Sequence, residues 1–335
     1  MNFRRTLWCL ALLLTYSNTD AQDNIIIELK QPANAGASVP IKFKRYKKGK
    51  LKKIKAKTMT VQVSTGKYKD ERIIFPNNSD NLTNHQLKVI YNWSNQPTVW
   101  YDTMINVGYS GNAIANYSGR HGNDGKKKRG GRTGVLVIGR DGYDGKEGED
   151  GENGINGENI EVELDVYYDS LLSIELLRAK VKSLSSLKAH TYLVDIKNGK
   201  LIIRSNGGDG GHGGKGGRGG DGKNAKAATE KKKAKAPGDG GKGGDGGNGG
   251  NGGNAGNITI YVKPSAEKYL NLVSTRNVAG RGGLGGDIGA PGDGGIGDYG
   301  FSDGEIGSQG IHGTSGFEGA RAERAKIIYL KNKKE

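Results

Sequence analysis

Apolar and polar residues alternate with a period of two through the first third of the chain. The alternation is clearest at 59–63 and 87–93, and shorter apolar runs lie at 25–27, 39–43 and 73–75. Clusters of Pro, Asn, Ser and Asp separate these runs. Short alternating segments with such punctuation are typical of strands in an antiparallel sandwich or small barrel. We therefore predict a β-domain over 22–107.

From 108 to 335 the dominant period is three, and it is set by glycine. Glycine recurs at every third position over 139–157, 280–292 and 304–319, and it fills two of every three positions over 207–222 and 238–256. Three is the period of the polyproline-II helix, in which every third residue lies in one column. A glycine column lets another backbone approach closely. We predict a bundle of about six such helices, with the two tracts that have two glycine columns at its centre and their Asp, Lys, Asn and His column facing out.

Strand patterns adjoin the glycine tracts. Alternating residues at 160–166 and 258–262 follow tracts directly, and a last apolar run spans 327–330. Residues 192–196 and 201–203 flank Asn198-Gly199, which predicts a β-hairpin, whereas 171–181 fits a strand or a helix. The predicted fold class is therefore all-β, an antiparallel sandwich or small barrel interleaved with a polyglycine-II or polyproline-II helix bundle, with little α-helix. A flexible low-complexity linker is the competing interpretation of the glycine tracts.

Runs such as GGDGGHGGKGG and GENGINGEN resemble those of polyglycine-II bundle proteins and of the "collagen-like" secreted proteins of Bacteroidetes. The resemblance covers roughly residues 108–319. It implies a backbone conformation and not a particular function, because unrelated proteins use the motif. Antifreeze members of this class present Ala, Thr and Ser outward, whereas the outward positions here are mainly Asp, Lys, Arg, Glu and Asn.

Residues 1–21 are arranged like a secretory signal peptide. Arg4 and Arg5 precede an apolar run over 7–14, and small and polar residues lead to Ala21. The run is too short for a transmembrane helix, which needs ~20 residues. We expect an exported protein that is periplasmic, outer-membrane-associated or on the cell surface. The single cysteine, Cys9, lies in the segment that we expect to be removed.

Composition narrows the function classes. Glycine makes up 59 of 335 residues and hydrophobic residues only 33%, which argues against an ordinary single-core enzyme. Seven prolines are too few for a collagen triple helix, which typically has ~15–20% Pro and hydroxyproline. The formal net charge of +16 favours anionic partners reached by electrostatic steering.

The positive charge is concentrated in three segments. Residues 42–57 read KFKRYKKGKLKKIKAK, with Gly49 at the turn of a predicted hairpin, and ten of the sixteen are basic. Residues 125–134 and 224–238 are two basic connections that we expect to lie together at the far end of the bundle. Each segment is either a solvated surface or a binding site for an anionic partner. The candidate binding residues are Lys47, Lys48, Lys50, Lys52, Lys53, Lys126, Lys127, Lys128, Arg129, Lys231, Lys232, Lys233 and Lys235.

No motif indicates catalysis, a cofactor or a metal. Matches to G-x-G-x-x-G are expected by chance in such a sequence, and no βαβ pattern surrounds them. The five histidines lack ligand spacing, and the three in or beside glycine tracts are interpreted as exposed spacers. We do not expect nucleic acid as a partner. The expected function is a non-enzymatic structural or interaction protein of the bacterial envelope, whose partner is an envelope protein complex or an anionic glycan such as lipopolysaccharide. The alternatives are an accessory subunit of an outer-membrane complex for transport, secretion or assembly, and a polysaccharide-acting enzyme.

Overall fold

A computed structural model describes residues 25–47, 50–132 and 141–331. The predicted signal peptide, Lys48, Gly49 and Gly139 lie outside these residues. Most of the regular structure is β-sheet. The only helical segments among the described residues are the 3₁₀ turn Ala56–Thr58 and the 3₁₀ helix Pro264–Leu272. In this part of the chain, no helix has the length and apolar character needed to cross a membrane.

The N-terminal unit consists of two open sheets that pack on one core. One sheet has the order β1-β2-β6-β5 with β3 paired to β2, and the other has the order β4-β7-β8. Apolar residues of the predicted strands, such as Phe43, Ile73 and Val89, are fully buried between the sheets. The prediction of mainly β structure is confirmed, and the sheets are not closed into a barrel. The strands are β1 (Ile25–Leu29), β2 (Ser38–Lys47), β3 (Lys50–Ile54), β4 (Met59–Val63), β5 (Lys67–Lys69), β6 (Arg72–Ile74), β7 (Gln86–Trp93) and β8 (Gln96–Asn106).

A second sandwich follows, and it carries the glycine tracts. Its larger sheet has the order β12-β11-β10-β14-β16 and its smaller sheet the order β9-β13-β15. Leu164, Val181, Leu201 and Ile260 are among the residues buried between them. The strands are β9 (Asn112–Asn116), β10 (Ile160–Asp169), β11 (Ile174–Ser183), β12 (Ala189–Asp195), β13 (Lys200–Arg204), β14 (Ile258–Val262), β15 (Val273–Arg276) and β16 (Lys326–Tyr329).

This second sandwich corrects two predictions. It is not purely antiparallel, because β9, β13 and β15 pair in parallel, as do β10, β14 and β16. Between each of these strands and its parallel neighbour, the chain runs out along one glycine tract and back along the next. It therefore enters the neighbouring strand in the same direction as before. The Asn198-Gly199 turn does not close a hairpin: β12 belongs to the larger sheet and β13 to the smaller one, so the chain crosses from one sheet to the other at this turn. The undecided segment 171–181 contains the start of β11.

Six extended glycine-rich tracts project from this sandwich in two layers. We define tracts 1 to 6 as residues 118–132, 141–159, 205–224, 238–257, 277–296 and 303–320. Tracts 1, 3 and 5 lie side by side in one layer and tracts 2, 4 and 6 run in the opposite direction in the other, as the backbone hydrogen bonds between them show. Tracts 3 and 4 each bond to four other tracts, whereas tracts 1 and 6 each bond to two. The tracts that have two glycine columns are therefore the central ones, as predicted.

The sheets and the tracts share one register. Strand β10 pairs with β14 at Ile160 and Ile258, and below it Asn159 bonds to Asn257, again 98 residues apart. The offset is 88 between β9 and β13 and between tracts 1 and 3, and 72 between β13 and β15 and between tracts 3 and 5. The fourth pair departs from this rule by one residue, because β14 and β16 pair at an offset of 67 whereas tracts 4 and 6 bond at 66. In the other three pairs each tract continues the register of its strand. The strands therefore determine which glycines meet.

Side chains of Asp, Asn and His connect neighbouring tracts within a layer. Asp144 Oδ1 accepts the N–H of Lys242 (2.7 Å), and the C=O of Lys242 accepts the N–H of Gly145 (2.8 Å), which closes a ring between tracts 2 and 4. His121 and His212 take the same role through Nδ1, so the interpretation of these two as mere spacers is wrong. Equivalent rings involve Asp124, Asp150, Asn153, Asn156, Asn206, Asp209, Asp221, Asp239, Asp245, Asn248, Asn251 and Asn254.

Candidate anion-binding surfaces

The hairpin of β2 and β3 places like charges opposite each other. Lys44 lies opposite Lys53, Arg45 opposite Lys52, and Lys47 opposite Lys50. Like charges at directly opposed positions destabilise an antiparallel pair. Three pairs of this kind lie in a strand pair at the margin of its sheet, with Tyr46 opposite Leu51 between two of them. Because successive side chains of a strand point to opposite faces, Lys50 and Lys52 lie on one face of the hairpin and Lys53 on the other. An anionic partner would relieve the repulsion within these pairs.

Two of these cations already have intramolecular partners. Lys44 Nζ lies 3.0 Å from Glu28 Oε2, and the Arg45 guanidinium carbon lies 4.6 Å from the centre of the Trp93 ring, a cation–π distance. By contrast, the side chains of Lys50, Lys52 and Lys53 are exposed, with no carboxylate within 4 Å among the described residues. The exposed cations of β3 without an ion pair among the described residues are therefore these three lysines, which we name the β3 lysines.

The second basic segment does not lie at the tip of the array. Residues 126–129 belong to tract 1: the C=O of Lys126 accepts the N–H of Glu149, and the N–H of Lys128 donates to the C=O of Lys215. The Lys128 ammonium also contacts the Glu149 carboxylate. This hydrogen bond and the positive charges of Lys128 and Lys126 hold the pKa of Glu149 below its usual value.

The third basic segment is an ordered finger at the end of tracts 3 and 4. Lys226 and Lys235 exchange two backbone hydrogen bonds of 3.0 Å, and Thr229 and Lys232 exchange two more of 2.8 and 3.1 Å. Its tip is highly cationic, and Lys231, Lys232 and Lys233 are exposed while Lys235 is half-buried. We name residues 225–237 the basic finger.

The predicted meeting of eight cations at one end is therefore wrong. Tract 1 pairs with tract 3 at an offset of 88, so Lys126 and Arg129 lie level with 214 and 217, well before the finger begins at 225. The separation is on the order of 25 Å along extended backbone. The physical reason is that tract 1 extends through Gly131, whose N–H donates to Arg218, whereas the sequence pattern loses its strict glycine period after Gly125.

A cluster of three ionisable side chains, which no sequence pattern indicated, joins the two β-units. His85 Nδ1 lies 2.8 Å from Tyr109 Oη, and its Nε2 lies 2.8 Å from Asp169 Oδ2. Burial alone would raise the pKa of Asp169, but the backbone N–H of Leu172 and the charge and hydrogen bond of His85 outweigh it, so that pKa lies below its usual value. Tyr109 is only 3% exposed. The cluster connects the N-terminal unit to the end of β10.

A second His–Asp contact joins the same two units, with the histidine in the second unit and the aspartate in the N-terminal one. His190, on β12, places Nδ1 at 2.7 Å from Oδ2 of Asp80, and Asp80 Oδ1 also accepts the N–H of Thr191. The partners are 110 residues apart, so no local spacing in the sequence could have indicated this pair. Among the residues that the structure describes, no group of three or more His, Cys, Asp or Glu side chains is placed to bind a metal ion.

Comparison with known proteins provides no assignment for these surfaces. No family model matches the chain, and no curated protein or solved structure matches it either.

Proposed function

We propose that this protein is a non-enzymatic structural and docking protein of the bacterial cell envelope. In this proposal the six tracts form a polyglycine-II helix bundle that acts as a rigid spacer, and the basic surfaces at its two ends bind anionic partners. The observation that carries the proposal is the shared register: neighbouring strands and the tracts that continue them keep the same offsets of 98, 88 and 72 residues. A flexible linker would not maintain the register of the sheet from which it leaves.

Two further features support the spacer. Backbone bonds recur at every third residue and reach tracts on several sides, as expected of helices with three residues per turn and no internal bonds. An ideal Cβ on Gly213 would lie 2.0 Å from the carbonyl oxygen of Gly247. Backbones packed this closely leave little freedom to bend.

The basic surfaces occupy opposite ends of this spacer. The β3 lysines belong to the N-terminal unit, and the basic finger lies beyond the ends of tracts 3 and 4. Individual exposed ion pairs contribute only ~0–1 kcal/mol, so binding would need several together and would weaken with salt. Because neither surface surrounds a deep pocket, a repetitive polyanion such as lipopolysaccharide or an acidic polysaccharide suits them better than a small ligand.

The test is the binding of the full chain to purified lipopolysaccharide at low and high salt. We expect replacement of Lys50, Lys52 and Lys53 by serine to weaken binding by about tenfold, because each tenfold corresponds to ~1.4 kcal/mol shared over three contacts. Replacement of Lys231, Lys232 and Lys233 by serine tests the finger in the same way. The matched control replaces Lys180, Lys182 and Lys188, which are exposed elsewhere. Equal losses of binding in all three variants would mean that only the net charge of the protein matters, and would contradict the proposal.

A second candidate function is that of an accessory subunit of an outer-membrane complex for transport, secretion or assembly. It is favoured by Ile306, Ile311 and Phe317, three large apolar side chains that remain exposed on tract 6. A subunit would co-purify from native envelope in a fixed ratio with its complex, whereas a polyanion-binding spacer would be released by high salt.

A further inference from the structure

The outward side of one sheet in the N-terminal unit carries a surplus of positive charge. In β2, Val39, Ile41 and Phe43 are buried against the core, so the alternate residues point away from it. The pairings of β2 with β1, β3 and β6, and of β6 with β5, extend this outward side across the sheet. We name it the basic face. Its charged residues within the strands are Glu28, Lys42, Lys44, Lys53, Lys67, Lys69 and Arg72.

The other sheet of the same unit does not share this surplus. Strands β4, β7 and β8 contain only two charged residues, Lys88 and Asp102, and these pair at 3.1 Å. On the basic face, by contrast, six basic side chains accompany the single acid Glu28, which already pairs with Lys44 at 3.0 Å. Like charges are also directly opposite each other, which is destabilising: Lys44 faces Lys53, and Lys69 faces Arg72. The cations of this face without a carboxylate within 4 Å among the described residues include Lys42, Lys53, Lys67 and Lys69.

One end of the basic face is apolar as well as cationic. Lys44 lies between Ile26 on β1 and Lys53 on β3, and the next outward pair is Tyr46 opposite Leu51. The side chains of Ile26, Tyr46 and Leu51 are 40%, 54% and 45% exposed. The strand register therefore gathers three exposed apolar side chains around two lysines.

This combination matches the surface of an anionic lipid bilayer. Peripheral segments bind such a surface by burying apolar and aromatic side chains at the headgroup boundary, while Lys and Arg are attracted to the anionic lipids. A soluble polyanion would contact the cations but leave Ile26, Tyr46 and Leu51 in water. The face is also long enough for several lysines to reach one bilayer, because its positions on β2, from Ser38 to Tyr46, extend over roughly 27 Å.

We propose that the basic face binds the surface of an anionic lipid bilayer, with Ile26, Tyr46 and Leu51 entering the interface and the lysines contacting headgroup phosphates. The inference rests on the proposed function, which supplies an anionic partner in the envelope, and it names that partner for the N-terminal unit. The basic face shares only Lys53 with the β3 lysines, since Lys50 and Lys52 lie on the other face of the hairpin.

Sedimentation of the full chain with lipid vesicles tests the electrostatic part. We expect binding to vesicles of phosphatidylcholine with phosphatidylglycerol, weakened by salt, and at least tenfold weaker binding to pure phosphatidylcholine. The triple variant Lys53→Ser, Lys67→Ser and Lys69→Ser should lose on the order of a hundredfold in affinity. The control of equal charge, Lys180→Ser, Lys182→Ser and Lys188→Ser, should lose much less. Equal binding to the neutral vesicles, or equal losses in the two triple variants, would overturn the proposal.

The double variant Tyr46→Ser with Leu51→Ser distinguishes a bilayer from a soluble polyanion. We expect about tenfold weaker binding to the anionic vesicles and no change in binding to polygalacturonate, a water-soluble acidic polysaccharide. The control, Tyr168→Ser with Leu171→Ser, changes side chains that are 63% and 67% exposed in the second unit and should bind vesicles like the wild type. Melting temperatures check that both variants fold, and all variants carry the same residues 1–21.

The outcomes separate this inference from the proposed function. A wild-type chain that bound polygalacturonate or lipopolysaccharide but not anionic vesicles would overturn the inference and leave the proposed function standing. A chain that bound none of the three would overturn both. Vesicle binding of wild-type strength by the Tyr46→Ser/Leu51→Ser variant would also overturn the inference, because the apolar side chains would then contribute nothing.

A fluorescent label provides a second measurement that is independent of affinity. In a Cys9→Ser background, which removes the single cysteine, a nitrobenzoxadiazole label on Leu51→Cys should shift its emission to the blue when anionic vesicles are added, because the label leaves water. The same label on Leu171→Cys should not shift. An unshifted label on Leu51→Cys in vesicle-bound protein would show that this end of the basic face stays in water, and would contradict the proposal.

Discussion

The second sandwich and the glycine array keep the same register but are stabilised in different ways. In the sandwich, Ile160, Val162 and Leu164 on β10 alternate with polar residues and are fully buried between two sheets. In the array, the central tracts bury glycine, and the tracts are held by backbone hydrogen bonds of about 2.8 Å. A period of two therefore buries side chains, whereas a period of three buries backbone.

The comparison also indicates which region depends on the other. Burial of apolar surface contributes ~25 cal/mol per Å², whereas one intramolecular hydrogen bond contributes only about 0.5–1.5 kcal/mol net, and ordering glycine is entropically costly. The array thus gains little until its tracts are aligned. Because the strands align them, we expect the array to fold on the sandwich and not before it.

The largest expected effect comes from the sandwich. Leu164→Ala removes a fully buried side chain and should lower the free energy of unfolding by about 2–5 kcal/mol. Because the array depends on the sheets, hydrogen exchange should accelerate in both regions. Leu171→Ala, at a position 67% exposed, is the control. If the tracts of Leu164→Ala remained protected from hydrogen exchange, the array would fold independently of the sandwich.

A methyl group in the array should have the next largest effect. A Cβ on Gly247 would lie 2.1 Å from the carbonyl oxygen of Glu149 and 2.5 Å from its carbon. Because this neighbour is backbone in a bonded tract, Gly247→Ala should lower the free energy of unfolding by about 1–3 kcal/mol, the usual range for overpacking. Gly111→Ala is the control, since its Cβ would meet only Asn34 at ordinary distances of 3.4 Å and more.

Hydrogen exchange should locate the damage from Gly247→Ala in tracts 2 to 6 and leave β10, β11 and β12 protected. A uniform acceleration over the whole chain would mean that sandwich and array form one cooperative unit, and the distinction between them would fail.

The rings between tracts should contribute less. Asn248 Oδ1 accepts hydrogen bonds from both the N–H and the hydroxyl of Thr314, so Asn248→Ala should cost about 1 kcal/mol. A ring can also be added. Position 147 lies between the ring-forming residues Asp144 and Asp150 in the same column of tract 2, but it is a glutamate. The N–H of Asp245, which such a ring would use, has no acceptor among the described residues. Glu147→Asn should therefore raise the melting temperature slightly. A stabilising effect of Asn248→Ala would exclude the rings as a source of stability.

Local patterns in the sequence predicted most of these elements. The period of two indicated β4, β7, β10 and β14, the apolar run at 25–27 indicated β1, and the number of glycine columns indicated the central tracts. Those predictions succeeded because each depends on residues within one segment. The Asn198-Gly199 hairpin failed because whether two adjacent strands pair depends on the sheets that bury them.

The candidate surfaces were predicted less well for the same reason. The hairpin of β2 and β3 and its basic character could be read from 42–57, but the pairing of Lys128 with Glu149 joins residues in different tracts. The rings were missed because the Asp and Asn column was interpreted as facing water. In fact these side chains reach backbone N–H groups 66 to 98 residues away. A recurrent Asp, Asn or His before the repeat glycine is the signal that could have found them.

Electrostatics should produce an effect no larger than the loss of one ring, and it belongs to the sandwich. Asp165 on β10 accepts hydrogen bonds from Arg178 Nε (2.9 Å) and Nη2 (2.5 Å), and Lys263 Nζ lies 3.6 Å away. Burial alone would raise the pKa of Asp165, but Arg178 and Lys263 outweigh it, so that pKa lies below its usual value. The stabilisation is therefore complete above the unfolded pKa of ~3.9 and is lost as the pH falls through the lower folded pKa.

Asp165→Asn should lower the free energy of unfolding by about 1 kcal/mol at pH 7, and urea titrations at pH 7 and pH 2 should show the gap between variant and wild type closing in acid. Asn153 and Asn251, which form rings in the array, do not titrate, so hydrogen exchange in tracts 2 and 4 should change less between the two pH values, after correction for intrinsic rates, than exchange in β10. A gap that stayed constant with pH would remove the ion pair as the cause.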